Sequence, residues 1–260
     1  MKILVTNDDG IYARGLWALA ESLSQVAEVT VCAPDREQSG VGTAVSLHTP
    51  VRVSSVVPQV PGITTYAVEG TPSDSVILAL ESLLPGGVDM VVSGINEGAN
   101  LGNDITVSGT LGAAFQAYFR GVPAIAMSVT SLHDVNFEPA AKLARLLAIK
   151  AASGGLPRPL LLNVNLPNLP LEKLEGVSAT RLGTRSYVDI IQEGYDGKRR
   201  WYWIRRGKPE WATEDGSDIW AIRQNRVSIT PLHTNLTVTE QASAMEQLCP
   251  SLLLGMRYES

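Results

Sequence analysis

The chain opens Met1-Lys-Ile-Leu-Val-Thr-Asn-Asp-Asp-Gly10, and the rest is organised around this stretch. Ile3, Leu4 and Val5 form a short apolar run with β-branched members, and Thr6, Asn7, Asp8, Asp9 and Gly10 follow at once. The run reads as a buried strand. The acidic turn then ends the strand by presenting two adjacent carboxylates, and open α/β sheets bind their ligands at such strand ends. Neighbouring carboxylates disfavour joint ionisation, so the pair either shares a proton or holds a cation. A hard divalent metal keeps both ionised. Asp and Asn before Gly also form ordinary turns and helix N-caps. One Asp suffices for capping, so the second needs another reason.

Outward from this turn, Leu16, Leu19 and Leu23 recur at helical spacing and predict a helix over Gly15–Gln25. Glu28 to Cys32 reads as a second strand, which makes the opening a β-α-β unit with a parallel pair. The next segment, Ala33-Pro-Asp-Arg-Glu-Gln-Ser-Gly40-Val-Gly-Thr43, is a polar, Gly-punctuated loop on the same sheet edge as Asp8 and Asp9. Ser39-Gly40 and Gly42-Thr43 suggest close backbone approach to a neighbour. Ser46–Ser55 and Ile63–Val68 read as extended pieces about a Pro61-Gly62 turn, forming a small hairpin outside the main sheet. Gly70-Thr-Pro-Ser-Asp74 is a helix start, with Thr71 as N-cap and Pro72 at the first helical position. Asp89–Ser93 is a third parallel strand running into a polar loop, Ser93–Asp104. Ser108-Gly-Thr110 then starts a helix with Leu111, Phe115 and Tyr118 on one face. Its free amides, two hydroxyls and positive dipole end suit an anion, and a simple N-cap by Ser108 is the plainer reading. Ala124–Val129, a helix over Pro139–Ala152 and Leu160–Val164 continue the alternation of a doubly wound α/β fold.

After Pro170 the character changes. Thr180–Ile191 and Arg199–Arg205 read as a long hairpin without a covering helix, its second strand carrying Trp201, Tyr202 and Trp203. Such a hairpin pairs with another subunit or walls a pocket. A short helix over Asp215–Gln224, a return strand over Val227–Thr230 and a closing helix over Gln241–Leu248 complete the chain. The expected architecture is one domain, 1–260. It has a mostly parallel, Rossmann-like α/β core over 1–170, and a β-hairpin arm with a C-terminal oligomerisation segment over 171–260.

With 260 residues, 45% apolar and 18% charged, the chain can bury a sizeable core. A net charge of −5 lacks the global basic field that favours nucleic-acid polymers. A small phosphorylated ligand remains compatible, because local amides and a metal can reverse the sign inside one pocket. Cys32 and Cys249 lack Cys-x-x-Cys spacing, so neither a zinc site nor a redox pair is indicated. No basic leader precedes strand one, and no apolar run reaches the roughly 18 residues that span a bilayer. A cytoplasmic protein with no membrane partner is expected.

The polar segments converge on one expected edge: Asp8-Asp9, Ser39, Asn96 and Ser108-Gly109-Thr110. Two carboxylates, a hydroxyl and an amide oxygen make an all-oxygen set that suits Mg²⁺ or Mn²⁺ better than zinc. Amides near Ser108–Thr110 would stabilise charge on phosphoryl oxygens, and one Asp could move a proton to or from water. This set points to a metal-dependent phosphomonoesterase.

At these residues the chain resembles the SurE-type 5′-nucleotidases, or stationary-phase survival proteins. The matching segments are Ile-Leu-Val-Thr-Asn-Asp-Asp-Gly from Ile3, Ala-Pro-Asp-Arg-Glu-Gln-Ser-Gly from Ala33, Gly-Thr-Pro-Ser-Asp from Gly70, Ser-Gly-Ile-Asn-Glu-Gly-Ala-Asn-Leu-Gly from Ser93, Ser-Gly-Thr-Leu-Gly-Ala-Ala from Ser108 and Val-Ser-Ile-Thr-Pro-Leu from Val227. The resemblance implies one divalent metal ion per subunit, Mg²⁺ or Mn²⁺, held by Asp8, Asp9, Ser39 and Asn96. Asp8, Asp9 and Asn96 become the expected catalytic residues, and Gly40, Ser108, Gly109 and Thr110 the expected phosphate-binding set. It further implies hydrolysis of nucleoside 5′-monophosphates, with 3′-monophosphates and short polyphosphate among family substrates, by a homodimer or homotetramer. One departure is visible: the family usually has a Tyr immediately before Ser-Gly-Thr, and here Val107 stands there, so that ring and hydroxyl are absent.

Three other readings stay open on the residues alone. A non-catalytic nucleotide-binding module is disfavoured by the lack of Gly-x-Gly-x-x-Gly after strand one. A serine hydrolase would have to use Ser39, Ser93 or Ser108, none in a Gly-x-Ser-x-Gly elbow, with His48, His133 or His233. An aspartyl-phosphate phosphatase would use Asp8 itself as nucleophile.

Overall fold

The computed structural model describes residues 1–211 and 214–258, with side chains for all of these except 185–189, 205–211 and 258. The C-terminal limit of the expected 171–260 segment therefore lies outside the described residues.

Strand β1 (Lys2–Thr6) is buried on both faces, as a parallel strand between two helical layers must be. Ile3 and Val5 pack into one core with Leu16, Leu19 and Leu23 of helix α1 (Arg14–Ser24) and the alanines of α4 (Glu138–Ala152). Leu4, one residue out of phase, packs into the opposite core with Val76 of α2 (Pro72–Leu78) and Leu111, Ala114 and Ala117 of α3 (Gly109–Phe119). The period of two along β1 thus assigns each helix pair its face.

The nine-stranded sheet has the order β3 (Val53–Ser55), β4 (Thr64–Val68), β2 (Glu28–Pro34), β1, β5 (Met90–Glu97), β6 (Ala124–Val129), β7 (Leu161–Leu166), β11 (Arg226–Pro231) and β8 (Gly176–Ala179). Its parallel body consists of β4, β2, β1, β5, β6 and β7. The chain runs from β1 to β2 on one side, and β5 sits on the other. The order therefore reverses between β1 and β5, and the crevice beyond the carboxyl ends of these two strands is the topological switch point. The expected doubly wound fold is the observed one.

Four local expectations are corrected. The hairpin expected outside the main sheet is part of it: β4 pairs in parallel with β2 from Thr30↔Thr64 to Pro34↔Val68, and β3 (Val53–Ser55) caps that edge antiparallel. Without β4, the backbone groups on the outer edge of β2 would lack partners. The polar loop expected from Ser93 begins later, since β5 continues to Glu97. Strand β6 offers it partners at Asn96↔Ser128 and Glu97↔Val129 across a register shift after Ser93, and a bulge of this kind re-aims side chains near functional edges. A strand missed in sequence, β8 (Gly176–Ala179), pairs in parallel with β11 (Arg226–Pro231), so two strands beyond Pro170 complete the main sheet. The closing helix α6 spans Thr239–Tyr258 with Pro250 inside it, longer at both ends than the Gln241–Leu248 expected.

The long hairpin is present as a separate two-stranded sheet, β9 (Arg185–Tyr195) with β10 (Arg200–Trp211). Strand β10 tolerates Pro209 at a register shift between Arg206 and Pro209, the kind of position where a strand proline is allowed. Between the hairpin and β11 lies the short helix α5 (Asp218–Arg223). Among the described residues, no helix is long and apolar enough to cross a membrane.

Candidate active site

The turn after β1 is locked by its own asparagine. Asn7 Nδ2 donates to the Gly10 carbonyl at 3.0 Å, and the Gly10 N–H donates back to Asn7 Oδ1 at 3.2 Å. Gly10 adopts φ 98°, a conformation that side chains rarely take, and a Cβ there would lie 2.9 Å from the Arg36 carbonyl carbon. This turn carries Asp8 and Asp9 into the crevice.

Asp8 is only 4% exposed, and its Oδ1 accepts a 2.6 Å hydrogen bond from the Thr110 hydroxyl. Its Oδ2 lies against the start of α3, where a Cβ on Gly109 would stand 2.9 Å from it and 2.7 Å from Asp8 Cβ. Glycine at 109 is what lets this helix N-terminus reach the carboxylate. Asp9 is less enclosed, and its Oδ2 accepts from the Glu97 N–H at 3.3 Å. That bond ties the end of β1 to the end of β5 across the switch point. The Gln38 N–H donates to the Asp8 carbonyl at 2.7 Å and draws the loop after β2 to the same place.

The other predicted residues lie on the loop after β2, at the end of β5 and at the start of α3. Ser39 is exposed and donates from Oγ to Glu37 Oε1 at 2.7 Å, which leaves its lone pairs available. Gly40 beside it is exposed, with open space where a side chain would stand. Asn96 is half-buried and commits its Nδ2 to the Gly98 carbonyl at 2.9 Å, so its Oδ1 is the end left to accept. Ser108 is the N-cap of α3, accepting from the Leu111 N–H at 3.3 Å. Thr110 is fully buried, and its hydroxyl is committed to Asp8.

Electrostatics set these carboxylates apart. Burial pushes the Asp8 carboxyl above the usual range, opposed first by the Thr110 hydroxyl. Burial and then the charge of Asp8 lift Asp9 to about 7, with Glu97 and Glu37 adding to the repulsion. Two crowded, desolvated carboxylates beside neutral oxygens at Ser39 and Asn96 fit a dication, which would relieve the repulsion. Among the described residues, no three His, Cys, Asp or Glu side chains gather into a metal-holding group. A cation here would therefore rely on those neutral oxygens to complete its shell.

The nucleophilic-serine reading finds no support in the geometry. Ser39 bonds Glu37, Ser108 caps α3, and the buried Ser93 hydroxyl has no partner. His48, His133 and His233 are all exposed, and no bond of theirs to these serines is seen among the described residues.

Sequence reasoning missed the polar core behind Thr110. Asn100, Ser128, Asn163 and Asn165 are all buried and bonded to one another. The signal was available: Asn163 and Asn165 alternate within an apolar strand, so both point to one face, and buried amides there must have partners. Asp218 was missed as well. It is fully buried, and it accepts from the Gly102, Gly183 and Ile219 N–H groups at 2.7, 2.8 and 2.8 Å, pinning the loop beyond β5 to the C-terminal segment.

Fold and site together define a doubly wound α/β protein with an acidic site at its topological switch point. The family described as Survival protein SurE matches residues 3–189, and the chain belongs to that family. It is 47% identical over 238 residues to the 5′-nucleotidase SurE of Dehalococcoides mccartyi strain CBDB1, covering 91% of this chain and 90% of that protein. It is 43% identical over 248 residues to the 5′-nucleotidase SurE of Vibrio parahaemolyticus, covering 95% and 93%. The crystal structure of the SurE protein from Aquifex aeolicus superposes with a TM-score of 0.82 at 37% identity, covering 95% of this chain and 99% of that one.

Proposed function

We propose that this chain is a metal-dependent 5′-nucleotidase, a phosphomonoesterase that releases phosphate from nucleoside 5′-monophosphates. Nucleoside 3′-monophosphates and short polyphosphate are proposed as further substrates. The observation that carries the reading is the pair Asp8 and Asp9 at the switch point, beside the N-terminus of α3: burial raises both carboxylates, and the charge of Asp8 raises Asp9 further. The names of its relatives supply the substrate class.

Asp8, Asp9, Ser39 and Asn96 would hold one Mg²⁺ or Mn²⁺ per subunit, which supplies Lewis-acid polarisation of the phosphoryl group when bound. Asp8, fixed by Thr110, is the rigid member of the set. Asp9 is the more open carboxylate, so it faces the attacking water and takes its proton. The water oxygen bonds to phosphorus, the bond to the nucleoside oxygen breaks, and that oxygen leaves carrying the proton that Asp9 took from the water. Asn96 orients the incoming group through its free Oδ1. Amides of Gly40 and Gly109, with Ser108 at the same helix start, receive the phosphoryl oxygens at the positive end of the dipole, while Thr110, committed to Asp8, fixes that helix start in place.

The core over 1–170 carries this chemistry, and we assign the arm within 171–260 to assembly of a homodimer or homotetramer. Support comes from apolar side chains left open along it, among them Trp201 at 42% and Tyr202 at 58%. The free thiols of Cys32 and Cys249 are in keeping with a reducing, cytoplasmic setting.

The test is phosphate release across a panel of 5′- and 3′-nucleotides and short polyphosphate, with chelator and with added Mg²⁺ or Mn²⁺. Release restored by metal supports the reading. Nucleotide binding without release under Mn²⁺ would favour a binding module, and a trapped phosphoenzyme would favour Asp8 as nucleophile.

A further inference from the structure

The loop after β5 ends on a residue enclosed on every side. Asn100 is 7% exposed, and its N–H, its carbonyl and its side-chain Nδ2 are all hydrogen-bonded. Its N–H donates to Asn165 Oδ1 at 2.9 Å, and its carbonyl accepts from Asn163 Nδ2 at 2.8 Å and Asn165 Nδ2 at 3.0 Å. Asn165 Nδ2 also reaches Asn163 Oδ1 at 3.2 Å, which locks the clamp to itself. Two side chains on one face of β7 therefore grip both backbone groups of one loop residue.

That grip aims the Asn100 side chain. Its Nδ2 carries two hydrogens, and two acceptors lie in reach: Ser128 Oγ at 2.9 Å and Thr110 Oγ1 at 3.3 Å. Thr110 Oγ1 in turn meets Asp8 Oδ1 at 2.6 Å. The direction of this chain follows from chemistry. An ionised carboxylate has no proton to give, so Thr110 is the donor to Asp8. The single hydroxyl hydrogen is then spent, and Thr110 can only accept from Asn100. An amide nitrogen is a pure donor, so it enforces that arrangement. With Oδ1 of Asp8 occupied, Oδ2 is the oxygen left facing the start of α3.

We propose that Asn100 is a positioning residue that acts through Thr110 to fix which oxygen of Asp8 is presented to a bound cation. The proposal rests on the reading of Asp8 as a metal ligand and assigns Asn100 a role behind it. Groups that orient a ligand from behind matter for affinity: their loss typically weakens metal binding by about 10- to 100-fold. Thr110 serves here as a relay from Asn100, in addition to its place at the helix start.

The test is direct titration of the full-length, metal-free protein with Mn²⁺ alone, following free Mn²⁺ by its paramagnetic resonance signal. A parallel melting curve of each variant reports on the fold. Asn100→Ala and Thr110→Val are each expected to weaken Mn²⁺ binding by about tenfold or more. The double variant is expected to bind no more weakly than the worse single one, because both changes break the same chain. Thr110→Ser, which keeps the hydroxyl, is expected to restore affinity to within about threefold of the parent. Ser128→Ala is the milder variant should Asn100→Ala fail to fold. It removes only the acceptor of the second amide hydrogen, and a loss of about two- to fivefold is expected, absent in the Thr110→Val background.

Unchanged affinity in Asn100→Ala or Ser128→Ala overturns the inference, as does strict additivity with Thr110→Val, which is what a purely structural role would give. Absence of Mn²⁺ binding by the parent protein is a different result, because it overturns the metal reading of Asp8 itself.

Discussion

Asp8 Oδ1 and Thr110 Oγ1 meet at 2.6 Å across 102 residues of chain. This bond joins the end of the first strand to the first turn of α3, and the candidate site lies where they meet. Gly109 allows the approach and Thr110 fastens it. The site is therefore a property of how two distant segments pack.

Asp8→Asn is expected to lower phosphate release by at least about a hundredfold, since loss of a direct ligand should exceed the loss of a group behind it. The fold should survive, because the amide removes a buried charge whose carboxyl is already held above its usual range. Phosphate release and circular dichroism of the purified variant check both halves. Near-normal turnover at limiting metal would rule out the assignment of Asp8.

Gly109→Ala would place a Cβ 2.7 Å from Asp8 Cβ, closer than real side chains tolerate. Either α3 or the Asp8 turn must move. A destabilisation of about 1–3 kcal/mol is expected, accompanied by weaker Mn²⁺ binding. Urea denaturation and Mn²⁺ titration of the variant measure the two effects, and unchanged values in both would mean the two segments are not in contact.

The metal-free protein should become less stable as pH rises from about 4 to about 7. Burial, and then the charge of Asp8, lift Asp9 to about 7 in the folded chain against an ordinary value of 3.8, and burial raises Asp8 as well. Between those limits the folded state binds more protons than the unfolded one, so raising the pH favours unfolding. Asp9→Asn should flatten this slope and raise the melting temperature of the metal-free protein above pH 7. A residual slope remains, because burial raises Asp218 in the same direction. Melting curves at several pH values, with chelator present, check the sign.

Asp218→Ala would leave the Gly102, Gly183 and Ile219 N–H groups without their shared acceptor. Buried orphan donors cost about 1–3 kcal/mol each, so a loss of roughly 3 kcal/mol or more is expected. The denaturation midpoint measures it. A change below about 0.5 kcal/mol, the range of ordinary surface substitutions, would mean that water replaces the carboxylate.

Local pattern was enough for much of this protein. The apolar run Ile3–Val5, the spacing of Leu16, Leu19 and Leu23, and Thr71 with Pro72 each declare an element through interactions within a few residues. The structure reproduces them, down to the capping box in which Thr71 and Asp74 bond each other's backbone. Two carboxylates after a strand likewise mark a candidate site in the sequence itself, because strand ends in an open parallel sheet all face one crevice. What the sequence could not decide was pairing at a distance. The seating of β4 against β2, the extension of β5 to Glu97 and the insertion of β11 between β7 and β8 depend on which free backbone edge each segment meets. The same holds for Asn100, Asn163, Asn165 and Asp218: each is an unremarkable polar letter in sequence. Only packing removes the water around them and forces their hydrogen bonds to be made within the protein, and that enclosure is what turns a strand end with two acids into a site with a defined orientation.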